Sequence, residues 1–317
     1  MTNFGHLTTR GWELSIDLHH RFDFGLNANI TANISDAKGH YDSTDPNERR
    51  CDYRYDGKTY GEIWGFETDR LFTHDDFTWD EQGNITGYAP GVADQQYLVD
   101  QYKQSGFHFL PGDVKYKDLN GDGQIDDGRT NGVPTLDNHG DMTVIGNTTP
   151  RYQYGVRLDL SWRNFDLGVF FQGVGKRDLW GTGQLVIPGW HYGEAYYTHH
   201  MDYWTEDNTD AFYPRPWALN YQSANPNFKK QTRYLLNMAY CRLKNLTVGY
   251  TLPETLTRRA MIQRLRFYAS FENLVTWDHL NNVPIDPETR TATGDGGYIG
   301  RSYPFSREFS FGLQVTF

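Results

Sequence analysis

Phe309-Ser310-Phe311-Gly312-Leu313-Gln314-Val315-Thr316-Phe317 carries apolar side chains at every odd position and stops on an aromatic residue. Period-2 alternation places Phe309, Phe311, Leu313, Val315 and Phe317 on one face of a strand. Chain ends in water are commonly frayed and polar. An apolar last strand closed by an aromatic fits the closing strand of a transmembrane β-barrel, whose outward face meets lipid and whose aromatics lie in an interfacial girdle. The competing reading of this stretch alone is the edge strand of a soluble β-sandwich.

The same alternation recurs upstream. Trp12, Leu14, Ile16 and Leu18 precede an expected turn at His19-His20-Arg21, and Phe22, Phe24, Leu26, Ala28, Ile30, Ala32 and Ile34 follow on successive even positions. That 13-residue run exceeds the roughly 9–11 residues a tilted strand needs to cross a bilayer. Tyr152, Tyr154, Val156, Leu158, Leu160 and Trp162 lead through Arg163-Asn164 to Phe165, Leu167, Val169 and Phe171. Further strands are expected near 234–251 and 264–276, with the alternation slipping around Cys241. Connections at 19–21, 163–164 and about 252–263 are short, the last with a helical turn begun by Pro253. Those at about 36–150, 176–233 and 277–304 are long. Strict alternation of short and long connections matches the short periplasmic turns and long extracellular loops of outer-membrane barrels. The expected fold is all-β: the carboxy-terminal part, about seven long antiparallel strands, of a large transmembrane β-barrel.

Bulk properties agree. The 317 residues have 22% charged residues and a mean hydropathy of -0.72, with no run of about 18 apolar residues to form a spanning helix. A barrel strand shows lipid only every second side chain, so a hydrophilic average is compatible with one. The aromatic fraction of 16% suits interfacial girdles, and a net charge of -10 argues against nucleic acid as a partner. Cys51 and Cys241 stand in no metal spacing and read as free thiols rather than a disulfide. No charged segment followed by an apolar one succeeds Met1. Seven strands left open would expose unpaired edges to lipid, so the chain is expected to lack a plug domain and signal peptide and to be a fragment of something larger.

Asp118-Leu119-Asn120-Gly121-Asp122-Gly123-Gln124-Ile125-Asp126 matches the first nine positions of a D-x-N-x-D-G calcium loop. Oxygens of Asp118, Asn120, Asp122 and Asp126 and the carbonyl of Gln124 are the candidate Ca²⁺ ligands. Position 12 is Arg129, not the bidentate Glu, and the alternative is an Asx/Gly turn cluster satisfied by its own backbone. No catalytic motif stands out. His19-His20 and His199-His200 are weak metal candidates, and Asp75-Asp76 and Asp126-Asp127 read as solvated carboxylates. Trp190, Tyr192, Tyr196, Tyr197, Tyr203 and Trp204 are candidate ligand contacts, since aromatic faces stack on sugar rings; the alternative is packing of loops against one another or against a partner.

Pro111-Gly112-Asp113-Val114-Lys115-Tyr116-Lys117 running into the acidic loop, Val144-Ile145-Gly146-Asn147, Phe165-Asp166-Leu167 with Phe170-Phe171-Gln172-Gly173, Arg242–Pro253, Leu265-Arg266-Phe267-Tyr268 and Glu272-Asn273-Leu274 resemble the SusC/RagA-like TonB-linked outer-membrane proteins of Bacteroidetes. The resemblance spans essentially the whole chain, and 131–141 looks inserted after the acidic loop. It implies an outer-membrane location and energy-coupled import of a glycan fragment or peptide. It also implies a SusD-like surface lipoprotein as lid, and contact with the TonB complex through an amino-terminal part not present here. Rival functions are a Ca²⁺-binding, carbohydrate-binding β-sandwich module, a glycan-degrading enzyme with two placed carboxylates, and a truncated product without function.

Overall fold

A computed structural model describes residues 5–45, 47–101, 107–128, 134–190, 196–217, 225–280, 283–288 and 306–317. Seven long strands form one antiparallel sheet in chain order: β1 (His6–Arg21), β2 (Leu26–Ser43), β3 (Arg151–Trp162), β4 (Phe165–Lys176), β5 (Leu235–Thr251), β6 (Arg264–His279) and β7 (Glu308–Thr316). A three-residue strand, Asp178–Trp180, adds to the upper end of β5. Each neighbour pair is consecutive in sequence, as in an up-and-down barrel wall.

Register turns the alternating sequence into two faces. One transverse row runs Leu18, Ile30, Leu158, Val169, Leu246, Phe271, Phe309 across all seven strands. A parallel row runs Leu26, Trp162, Phe165, Tyr250, Phe267, Leu313. Much of this face is bare: Leu18 is 58% exposed and Phe311 81%. A continuous apolar face with nothing packed on it would be untenable in water and belongs against lipid. On β2 the apolar stretch runs from Leu26 to Ile34. At about 3.3 Å per residue and a tilt near 40°, those positions rise roughly 20 Å, most of the ~25 Å band of an outer-membrane barrel. Trp12 marks one margin of this band; Trp162, Phe165 and Phe267 mark the other. No helix among the described residues is long and apolar enough to cross a membrane.

Three details differ from the alternation pattern. The first hairpin turns at 22–25, not 19–21: His19 and His20 pair with Asn29 and Ala28 inside the ladder. Gly25, at φ +89°, supplies the left-handed residue the turn requires. Phe22 and Phe24 misled because they keep the parity of Leu26 through the turn. β1 and β2 also extend beyond the apolar band, to His6 and Ser43, so the first long connection begins at residue 44 rather than 36. The slip near Cys241 is a bulge at Lys244, where Leu243 pairs with Phe171 and Asn245 with Phe170. The extra residue lets Arg242, Lys244, Asn245 and Thr247 face one way while Leu243 and Leu246 face lipid. As the sequence indicated, Pro253 precedes a single helical turn, Glu254–Thr257, in the short β5–β6 connection.

The buried core lies in the long loops rather than in the sheet. Phe66, Leu71, Leu98, Val114, Tyr116 and Ile125 from the first loop pack with Val186, Ile187, Trp204 and Tyr213 from the second and with Leu280 and Val283 from the third. Leu236 and Met238, at the upper end of β5, join the same cluster. A smaller cluster of Phe72, Phe77, Val99, Phe107 and Phe109 lies beside it. Two-stranded ribbons, among them Glu62–Phe66 with Met142–Asn147 and Thr68–Leu71 with Val114–Tyr116, frame the first loop. All three loops leave the same end of the wall, so they bury their apolar residues together as one cap.

Candidate functional site: the inner wall, its loop cap and the acidic loop

The face opposite the apolar one is polar. One inner row reads His19, Asn29, Asp159, Gly168, Thr247, Ser270, Ser310. Its charges are paired along the wall: Arg157 Nε donates to Asp159 Oδ2 at 2.7 Å, and Arg266 Nη2 and Nε donate to the two oxygens of Asp166 at 2.5 and 2.9 Å. Thr31 donates to Asp17 at 2.7 Å, and Asn245 Nδ2 to Ser270 Oγ at 3.2 Å. A recess of about 320 Å³ along this face is lined by Asn29, Arg157, Asp159, Asp166, Asn245 and Arg266. Such a surface keeps water and hydrated solutes as neighbours.

Near the upper end of the wall a strap folds back onto the inner face. Buried Arg242 donates to Asp286 Oδ2 and Glu288 Oε2, both at 2.7 Å, and to Thr276 Oγ1 at 2.8 Å. Lys244 joins through Glu288 at 2.8 Å. The bulge that broke the alternation is thus what brings a second cation to the strap. Sequence reasoning found no role for these four charges, which lie some forty positions apart in two elements.

Asp113 is the hub of the cap. It is fully buried, and its Oδ1 accepts from Trp217 Nε1 at 2.6 Å and Asn227 Nδ2 at 2.7 Å while Oδ2 accepts from the Leu110 amide at 2.8 Å. Asn227 Oδ1 in turn accepts from the Val114 amide at 2.7 Å. One carboxylate therefore ties the first loop to the second. Burial pushes its pKa up to about 7, against the pull of the Trp217, Asn227 and Leu110 donors and the Arg215 charge. Asp76 goes the other way. Burial raises it, but Arg70, Thr73 and Lys115 outweigh that and hold it well below the usual carboxylate range. Asp76 is therefore a buried, paired carboxylate and not the solvated one its sequence setting suggested.

The aromatic candidates divide. Trp204 is 8% exposed and packs in the cap core against Gly112, where an added Cβ would lie 2.2 Å from the indole. This corrects its reading as a ligand contact: the ring is used by the fold. Trp190 and Tyr203 are half-buried against the same core. Tyr197 stacks on His199 at 5.7 Å, and Tyr196 is 49% exposed, which leaves it the most open of the described group. Tyr192 lies outside the described residues. His199 Nε2 sits 2.8 Å from the Leu185 carbonyl. His200 is buried, and burial with the His199 charge lowers its pKa to about 4.

In the acidic loop the side-chain oxygens serve the backbone. Asp118 accepts from the Gly121 and Gly123 amides at 2.6 and 2.9 Å, Asn120 Oδ1 from Asp122 at 2.9 Å, and Asp122 Oδ1 from Gln124 at 2.8 Å. Asp126 Oδ1 accepts from the Gly128 amide at 2.5 Å. Buried Asp141, at the end of the segment that looked inserted, accepts from the Leu119 and Asp126 amides at 2.8 and 2.9 Å and closes the loop. Among the described residues no three His, Cys, Asp or Glu side chains converge as a metal site. Arg129 lies outside the described residues. Cys51 and Cys241 are both free thiols.

No family model matches the chain. TonB-dependent receptor P3 of Formosa agariphila is 27% identical over 335 aligned positions, which cover 99% of this chain and 29% of that protein. TonB-dependent receptor P26 of the same organism is 26% identical over 249 positions, 76% of this chain and 22% of the other. The chain thus spans less than a third of the length of the relatives it matches. In fold it is similar to the RagAB peptide transporter, with a TM-score of 0.62 and 19% identity over 99% of this chain and 30% of that one. The RagAB peptide importer in its closed-closed state gives 0.61 and 20%, covering 99% of this chain and 30% of that one. Motifs, register and both kinds of comparison agree: this chain is similar in sequence to part of two TonB-dependent receptors and in fold to part of the RagAB peptide transporter.

Proposed function

We propose that this chain supplies wall and extracellular cap to an energy-coupled outer-membrane importer of glycan fragments or peptides. In this reading it forms the carboxy-terminal part of the barrel and works with a SusD-like surface lipoprotein and the TonB complex. The observation that carries it is the two-faced wall, apolar outward across all seven strands and polar inward, with every long loop gathered at one end. A conduit for hydrated cargo needs that inner surface, and a surface partner needs that cap. The RagAB neighbours are named as peptide transporters, which supports peptides as one of the two cargo classes. Strands of 9 to 18 residues count against a soluble carbohydrate-binding sandwich, whose strands average about 5–6.

The test is uptake by cells carrying the full-length receptor, with labelled oligopeptides and oligosaccharides offered separately and with TonB present or deleted. TonB-dependent uptake of one class, together with co-purification of a surface lipoprotein, is the expected outcome. Uptake of both classes unaffected by deletion of the receptor would overturn the proposal. Calcium at Asp118, Asn120, Asp122, Gln124 and Asp126 belongs to the same proposal, with Asp126 required to leave the Gly128 amide. Calorimetric titration of Ca²⁺ into the receptor and into its Asp118→Ala/Asp122→Ala variant tests it, and identical heats would remove the assignment.

A further inference from the structure

We propose that the outward face of β1 and β2 just above Trp12 binds the phosphate of an anionic outer-leaflet lipid headgroup. Even-numbered residues of both strands face outward, because Leu14, Ile16, Leu18, Ile30 and Ile34 do so in the apolar band. Beyond Trp12 that face changes character: Arg10 stands directly opposite Lys38 and Thr8 opposite His40. Two residues past Trp12 is about 6.6 Å along the strand and roughly 5 Å in height, which is headgroup depth in a bilayer whose polar margins are several ångströms thick.

The nearby acids are already engaged. Asp36 is forked by Arg151 through Nε and Nη2, and Asp42 takes the Thr8 hydroxyl and His6 Nδ1. Among the described residues no carboxylate forms a direct ion pair with Arg10 or Lys38, although Asp42 and Asp36, which also line the recess, lie near enough to attract them, and both cations are exposed. Like charges directly opposite on neighbouring strands are unfavourable by themselves. An anion between them removes the repulsion and gains two charge-assisted hydrogen bonds. An open recess of about 650 Å³ bounded by Arg10, Trp12, Asp36, Lys38, His40 and Arg151 holds room for a phosphate with part of its sugar or glycerol. Trp12 lies at the lower rim, where an indole customarily sits between acyl chain and headgroup. A lipid is favoured over a soluble anion because the recess opens sideways, continuous with the apolar band, and not toward the polar inner wall.

The test uses the full-length receptor in nanodiscs with bisphosphorylated lipid A, and with the same lipid stripped of its phosphates as control. Lipid retained after detergent exchange is counted by native mass spectrometry. The expected result is preferential retention of the phosphorylated form, falling roughly 10–30-fold in Arg10→Gln/Lys38→Gln, the scale set by two cations at an anionic headgroup. The charge-preserving Arg10→Lys/Lys38→Arg pair should retain most of it. Equal retention by wild type and the Gln variant overturns the proposal, as does equal retention of the dephosphorylated lipid. Full displacement by millimolar inorganic phosphate would assign the cations to free anions and overturn it as well. If the double Gln variant fails to give a heat-modifiable barrel, Lys38→Gln alone, at an exposed position, carries the same comparison. Uptake is not the readout, so failure of the import reading leaves this result interpretable.

Discussion

Asp113 makes the stability of the cap depend on pH in a direction opposite to that of most carboxylates. An unfolded Asp loses its proton near 3.8, whereas burial holds the Asp113 proton to about 7. Between those values the folded cap binds the extra proton, so the stabilisation is complete below about pH 4 and is lost as pH rises through 7. A shift of about three pH units at 1.36 kcal/mol each gives an upper scale of about 4 kcal/mol, of which roughly 3 kcal/mol falls between pH 5 and 8. The perturbation is Asp113→Asn, which cannot ionise and whose amide nitrogen cannot accept from Leu110. It should cost about 1–3 kcal/mol at pH 5 for the lost acceptor and remove most of the pH dependence.

The assay is hydrogen exchange by mass spectrometry on the full-length receptor, corrected for the intrinsic rate at each pH. Its readout is the opening free energy of the Leu110, Val114 and Tyr116 amides, which are bonded to Asp113, Asn227 and Gln95. In the wild type, protection should fall from pH 5 to pH 8 while barrel-wall amides stay constant. In Asp113→Asn it should be lower at pH 5 and nearly flat. Parallel curves for the two proteins, or protection rising with pH in the wild type, would refute the burial argument.

Other substitutions probe the remaining layers. Arg242→Ala strands Asp286 and leaves Glu288 with Lys244; about 2–4 kcal/mol of strap anchoring should vanish, read as protease cleavage within 279–288 that the wild type resists. Gly112→Ala sets a Cβ 2.2 Å from the Trp204 ring at φ +89°, so the cap should lose more than about 3 kcal/mol, seen as a lower first transition in calorimetry with the barrel transition unchanged. Phe311→Arg puts a cation on the lipid face and should cost about 2–4 kcal/mol if it lies near the bilayer midplane, measured as a reduced heat-modifiable fraction after refolding into vesicles; no change would mean that this face does not meet lipid.

The wall could be read from sequence because lipid on one side and water on the other write a period of 2 into every strand. The reading failed wherever that contrast fades. Beyond Trp12 and Ser35 both faces meet polar surroundings, so 36–43 looked like loop and 6–11 gave no strand signal, although both continue the ladder. At Phe22 and Phe24 the pattern ran on through a turn because interfacial aromatics need no strand to lie at a membrane margin. At Lys244 a bulge broke parity without ending the strand. The cap was opaque for a different reason. Its core joins residues from three separate loops, from Phe66 to Val283, and no local period marks Phe72, Leu98 or Ile187 as buried. Asp113 was visible only inside a quoted motif, Pro111-Gly112-Asp113, and nothing in its neighbours foretold a partner at Trp217 or Asn227.

The two halves of the molecule are held by different physics, and that division bears on how the parts can move. The wall buries almost nothing against itself; it is fixed by ladder hydrogen bonds that lipid cannot replace, so breaking any one strand pair exposes several unsatisfied groups. The cap is held by apolar burial in water and by a few buried polar ties, Asp113 with Asn227 and Trp217 among them. Water can solvate an opened cap, so its opening costs only the surplus of burial over chain entropy. The strap at Arg242 is where the regimes meet, since it pins a cap segment to a wall strand through largely buried charges. On the import proposal, a rearrangement that admits cargo should move the cap against an unchanging wall, with the Arg242–Asp286–Glu288 contacts as the catch. Those contacts, more than the aromatic loops, are the place where a change of state would be recorded.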